Sequence, residues 1–118
     1  DSGMFRAMQL AAATALEAET DWYEGNNKNY RNRRHLAGEI MKALGCTYDE
    51  KQVGMFLWGK IPASCKDVEE LTEKVLHEAR VFITPGFIFG SNGARYIRIS
   101  LCCKDNKLAE ALERIKRI

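Results

Sequence analysis

No run of eighteen apolar residues occurs in this 118-residue chain, so no helix in it is long and apolar enough to cross a bilayer. Charge of one sign is missing too: 18 Lys and Arg stand against 16 Asp and Glu, a balance of +2. That field is too weak to recruit nucleic acid or an anionic membrane. Histidine is scarce, and His35 and His77 both lie in helical, charge-rich surroundings where a surface imidazole is the ordinary outcome. There is no C-x-x-C pair. Cys46, Cys65, Cys102 and Cys103 match no zinc-ligand spacing, and two adjacent thiols suit neither a disulfide framework nor a tetrahedral site. Reduced thiols in a cytoplasmic protein and no bound metal are therefore expected. No serine sits in a G-x-S-x-G elbow, and there is no internal repeat or low-complexity tract. The opening "DSGMFRAMQL" lacks the basic start and long apolar run of a signal peptide. It also lacks an initiator methionine and starts inside a patterned segment, as a piece of a longer protein would.

What is present is ordinary globular material, 46% apolar and 29% charged, enough for a single domain over residues 1–118 with a modest core. Met8, Ala11, Ala12, Ala15 and Leu16 recur at helical spacing in an alanine-rich segment. A second helix follows, with Asp21 and Glu24 spaced like a capping box and Tyr30, Ala37, Ile40, Met41 and Leu44 on one stripe. It stops at Gly45, and Gly25 with its neighbouring asparagines predicts a kink or fresh start. The three arginines of "NYRNRRHLAGEI" lie opposite the stripe, where a solvated face is the ordinary reading and an anion site the sharper one.

"VGMFLWGKIP" reads as a strand ended by Pro62. A third helix follows Ser64, with Asp67 at capping-box spacing and Val68, Leu71, Val75, Leu76 and Ala79 on its stripe. "VFIT" is a short strand and "PGFIFGSNG" a glycine-punctuated loop. The last helix carries Leu108, Ala111, Leu112, Ile115 and Ile118 on its apolar side. The order αα-β-α-ββ-α predicts an α/β (α+β) two-layer sandwich, with a sheet of about three to four strands and helices mainly on one face. One strand resists that scheme. Met55, Leu57 and Ile61 fall on one face of it, but Phe56 and Trp58 make the other face apolar as well, so something should cover part of that side.

In "GARYIRIS" the alternation places Ile97, Ile99 and Leu101 on one face and Tyr96, Arg98 and Ser100 on the other. A guanidinium at the centre of a short apolar strand needs a partner. On residue type alone, an ion-pair partner is the commoner one and a ligand carboxylate the alternative. The spacing of Gly86, Gly90 and Gly93 is no phosphate loop, because it leads into a strand rather than opening a helix.

"GMFLWGKIP", "EARVFITPGFIFGSNGARYIRIS" and "LAEALERIKRI", in this order, resemble the C-terminal small domain of a class I/II, fold-type I pyridoxal-phosphate aminotransferase, aspartate aminotransferase-like. "QLAAATAL" and "NYRNRRHLAGEIMKALGC" resemble the segment that joins the large domain of that family to the small one. The resemblance implies amino-group transfer between an amino acid and a 2-oxo acid, in a homodimer whose large domain holds pyridoxal 5′-phosphate. It implies that Arg98, in "YIRIS", binds the substrate's α-carboxylate, and two-pronged carboxylate recognition suits a planar guanidinium. Ser2 and Gly3 match a stretch near the family's active site, with no role assigned. The chain has no segment like those carrying the cofactor-linked lysine, the aspartate that faces the pyridinium nitrogen, or the phosphate cradle. No cofactor is thus expected on these residues alone. Arg95 stands where many relatives carry a small or acidic residue. The rival reading is a free-standing α/β amino-acid-binding or regulatory module, and a third is an interaction domain with Arg98 in a salt bridge.

Overall fold

The computed structural model describes residues 3–118; Ser2 lies outside them. Helix α1 (Arg6–Leu16) and helix α2 (Thr20–Ala43) lead into strand β1 (Phe56–Lys60). Helix α3 (Val68–Lys74), prolonged by a π turn over Val75–Ala79, precedes strand β2 (Thr84–Pro85). Two 3₁₀ turns (Gly86–Phe89 and Ser91–Gly93) connect to strand β3 (Tyr96–Ser100), and helix α4 (Asp105–Ile115) closes the fold. The order is the expected αα-β-α-ββ-α. The three strands form an antiparallel sheet with β3 in the middle, in the order β1-β3-β2.

The core lies on one side of that sheet. Leu57, Ile97 and Ile99 point into it from the strands, and Leu101 from just beyond β3. Ile40 and Met41 of α2, Val68 and Leu71 of α3, Val75 of the π turn, and Leu108, Leu112 and Ile115 of α4 meet them. Period two on the strands and period 3.6 on the helices thus converge on a single apolar layer. In β1, Gly59 lets Met41 pack directly against the sheet, since a Cβ there would run into the Met41 side chain.

Helix α2 ends where the sequence places its end. Gly45 turns left-handed at φ 68°, its N–H donates to the Lys42 carbonyl (3.0 Å), and the Cys46 N–H donates to the Met41 carbonyl (2.9 Å). That pair of bonds is a Schellman closure. Elsewhere local signals misplace details. Gly25 does not restart α2, which runs unbroken through it, because a single exposed glycine costs only about 1 kcal/mol against an otherwise continuous ladder. The cap of α2 is Glu19 with no side-chain bond, so Asp21 and Glu24 form no capping box. The box of α3 sits three residues later than expected: the Asp67 carboxylate accepts from the Glu70 N–H (2.9 Å), and the Glu70 carboxylate accepts from the Lys66 N–H (2.9 Å). Strand β2 begins at Thr84 rather than Val81, since only Thr84 and Pro85 lie opposite Arg98 and Ile97, and proline offers no N–H to extend the ladder. Ile118 lies beyond the end of α4 and is exposed.

The arginine face of α2 is only partly solvated. Arg31 is exposed, whereas Arg33 reaches back to the turn before α4. Its Nε donates to Asp105 Oδ1 (2.8 Å) and its Nη1 to the Leu101 carbonyl (3.2 Å). Asn32 also donates to Asp105. Helices α2 and α4 pack side by side, and this cluster pins the start of α4 against the middle of α2.

Candidate functional site

Arg98 occupies the centre of the central strand, with Trp58 opposite on β1 and Thr84 opposite on β2. Its Cα neighbours Ile97 and Ile99 are buried on the core side, so the guanidinium emerges on the other face. There it lies between two aromatic rings. The guanidinium carbon is 4.1 Å from the centroid of Phe56 and 4.0 Å from that of Phe89. Phe89 in turn meets Trp58 edge-on at 5.4 Å. The cover expected over Phe56 and Trp58 therefore comes in part from within the chain.

Two glycines make that cover possible. The turns at Gly86–Phe89 and Ser91–Gly93 approach each other backbone to backbone. A Cβ on Gly86 would stand 2.5 Å from the Gly93 carbonyl oxygen and 2.6 Å from that of Tyr96. Only residues without a side chain let the loop fold flat enough to lay Phe89 on Arg98. The spacing of Gly86, Gly90 and Gly93 was the sequence signal for this contact, though the periodicity of a loop says nothing about which ring it will deliver.

Cation–π contact with the two rings uses none of the guanidinium N–H groups as hydrogen-bond donors to an acid or carbonyl among the described residues. Among the described residues no carboxylate lies in ion-pair range of Arg98, although Arg33 and Arg114 each have one. None of its nitrogens is both buried and unpartnered, so those N–H groups open to solvent. The intramolecular salt bridge, one of the readings left open above, is absent among these residues. Arg98 is an oriented, two-pronged donor with no acceptor among the described residues, bordering an open groove of about 470 Å³ shared with Thr84, Ser100, Lys107 and Glu110.

Arg95 has a different task. Its guanidinium donates to the carbonyls of Pro62 (2.8 Å), Cys65 (2.9 Å) and Lys66 (2.8 Å), tying the loop before α3 to the start of β3. No sequence signal distinguishes that clamp from a solvated arginine. His35 and His77 are exposed as expected, and His77 Nε2 lies 3.1 Å from a carboxylate oxygen of Glu73, one turn earlier. Among the described residues no cluster of His, Cys, Asp or Glu is placed to hold a metal. Cys46 is buried, and desolvation pushes its thiol pKa up to about 11, which leaves it inert. All nine lysines are exposed, so none has the desolvated pocket that activates an amine for Schiff-base chemistry. The residues present do not fit a pyridoxal site.

The family profile described as aminotransferase class I and II matches residues 3–115. The chain belongs to this family. It is 36% identical over 116 residues to LL-diaminopimelate aminotransferase of Desulforudis audaxviator, a match that covers 98% of this chain and 29% of that enzyme. It is 32% identical over 117 residues to transaminase BacF of Bacillus subtilis, again 98% of this chain and 29% of the relative. In three dimensions it superimposes on the apo-BacF structure with a TM-score of 0.76 at 33% identity, covering 98% of this chain and 30% of that one. The aromatic aminotransferase from Pyrococcus horikoshii OT3 gives a TM-score of 0.77 at 34% identity over 92% of this chain and 30% of that one. Nearly all of this chain is therefore matched, and it spans about 30% of the length of these relatives.

Proposed function

We propose that residues 1–118 are the small domain of a pyridoxal-phosphate-dependent aminotransferase, and that Arg98 holds the α-carboxylate of its amino acid and 2-oxo acid substrates. The carrying observation is Arg98 itself: a guanidinium fixed by a packed strand, stacked between Phe56 and Phe89, with free in-plane donors. The strand and the two rings set its orientation before a ligand arrives, so little ordering cost attends binding. Cofactor, catalytic lysine and phosphate cradle are assigned to a large domain elsewhere in the protein, since the lysines here are exposed. When bound there, pyridoxal 5′-phosphate supplies the carrier of the amino group; the task of this chain is to bind and orient the substrate. A homodimer working in the cytoplasm completes the proposal. The free-standing sensor module is less well supported, because the match runs across the whole chain yet spans under a third of each relative.

The test is Arg98→Ala in the full-length enzyme. Two charge-assisted hydrogen bonds lost together from a water-excluded cleft cost roughly 3–5 kcal/mol. At about 1.4 kcal/mol per decade, kcat/KM should fall by about two to four powers of ten. Arg98→Lys should also be poor, because an ammonium cannot reproduce the fork. The thermal midpoint should hardly move, since Ile97, Ile99 and Leu101 remain packed. Near-normal kinetics in a destabilised protein would retire Arg98 as the carboxylate clamp.

A further inference from the structure

The two rings beside Arg98 are held in place differently. Phe56 belongs to β1 and is fixed by the ladder, opposite Ser100. Phe89 sits on the loop between β2 and β3, where Phe87, Ile88 and Phe89 are all exposed. Burial therefore does not account for the position of Phe89, which is 49% exposed and yet lies against Arg98, with Trp58 edge-on to it. The next residue, Gly90, has φ 120° and ψ 169°, a region that glycine alone occupies freely. A Cβ on Gly90 would meet no atom within 4 Å, so the backbone conformation, not the space, requires glycine there. The Gly90 N–H donates to the Phe87 carbonyl (3.0 Å), and its own carbonyl accepts from the Gly93 N–H (2.9 Å). Both 3₁₀ turns are thus tied to this one residue, and the ring it sets in place is Phe89.

We propose that Phe89 is a positioning residue for Arg98, delivered by the Gly90 backbone, so that the loop and not the strand alone sets how tightly the substrate carboxylate is bound. The proposal rests on the reading of Arg98 as the carboxylate ligand. With Phe56 alone beside it, the guanidinium keeps rotamer freedom that it must surrender when the carboxylate arrives. A second ring, its centroid 4.0 Å from the guanidinium carbon, removes part of that freedom beforehand and attracts the cation to its π face. Loss of the ring should weaken substrate binding. Once the carboxylate is bound, its own hydrogen bonds hold the guanidinium, and the bound substrate should react at nearly the same rate. Phe89 acts through Arg98 and takes no part in the chemistry.

The experiment is steady-state kinetics of the full-length enzyme with its cofactor. The amino donor is whichever of the protein amino acids or LL-diaminopimelate it turns over fastest, with 2-oxoglutarate or pyruvate as acceptor. Phe89→Leu should raise KM about threefold to thirtyfold while kcat stays within about twofold. Phe89→Tyr keeps a π face and should restore KM. Gly90→Ala leaves every side chain around Arg98 intact and should still raise KM, because the loop must leave its glycine-only conformation. In an Arg98→Ala background, Phe89→Leu should change kcat/KM no further, since nothing is left to position. The proposal is overturned, with Arg98 still in its role, by an unchanged KM in Phe89→Leu or Gly90→Ala, by a loss that Phe89→Tyr does not restore, or by a loss that persists beside Arg98→Ala. Near-normal kinetics of Arg98→Ala alone, or no turnover of any donor, overturns the underlying reading and this proposal with it.

Discussion

Residues 6–28 and residues 30–115 are both mostly regular structure, yet they are held in different ways. In the second stretch every helix buries a stripe against the sheet. In the first, α1 buries nothing: Met8 and Leu16 are 61% and 81% exposed, and Trp22 at the start of α2 is 59% exposed. What order α1 has is local. Its alanines favour the helix, the Tyr23 hydroxyl donates to the Ala15 carbonyl (2.8 Å), and the Gln9 amide donates to the Met4 carbonyl. An eleven-residue helix without tertiary packing is marginal in water. The comparison teaches that a hydrophobic period says which side of a helix will be covered, but not by what. In a chain spanning about 30% of its relatives, the cover of α1 is assigned to the proposed remainder of the protein.

The contrast can be broken most forcefully in the core. Ile97→Ala on the central strand should destabilise residues 1–118 by about 2–5 kcal/mol, while Leu16→Ala should stay within about 0.5 kcal/mol. Urea unfolding of both variants measures this, and equal losses would show that α1 belongs to the same cooperative unit as the sandwich. Next in size is Gly86→Ala. Its Cβ would meet backbone oxygens at 2.5 and 2.6 Å, so the loop must shift at a cost of about 1–3 kcal/mol. Because Phe89 rides on that loop, Trp58 fluorescence should change with it, whereas Gly25→Ala in the exposed helix should be neutral or mildly stabilising.

A smaller effect separates the regions by pH. Hydrogen bonds from Arg33, then from Asn32, hold the Asp105 carboxyl below its ordinary pKa. A depressed carboxylate adds stability that is present above its unfolded pKa and is lost as pH falls through the folded one. Acid titration of stability should therefore show a loss below about pH 4 that Asp105→Asn lacks. Acidic residues of the first stretch, such as Glu17→Gln, should leave that profile unchanged. The last test leaves stability untouched. At pH 8, the Cys46 thiol with its pKa near 11 should alkylate far more slowly than exposed Cys102 and Cys103, and peptide mass mapping reads the difference directly.

Much of the fold was legible because it rests on short-range rules. Alternation in "YIRIS" and the Gly45 stop each depend on a few consecutive residues, and both stand in the structure where the pattern puts them. The errors share a cause as well. The capping box at Asp67 and the start of β2 at Thr84 were misplaced by a few residues, because competing polar or apolar neighbours satisfy the same local pattern and long-range pairing chooses between them. The Arg98 position came from strand period and family resemblance together; its aromatic sandwich came from neither.

The sequence by itself determined the element order, the buried face of each core helix and strand, and the residue that carries a guanidinium out of the sheet. These follow from covalent geometry, which repeats every two or 3.6 residues wherever the chain is regular. Only the tertiary structure decided which of the arginines would be neutralised. Arg33 found Asp105 seventy-two residues away, Arg95 found three carbonyls of the loop before α3, and Arg98 met two rings and, among the described residues, no acid. Those outcomes depend on which distant segments the packed core brings within a few ångströms, and no local period encodes that distance.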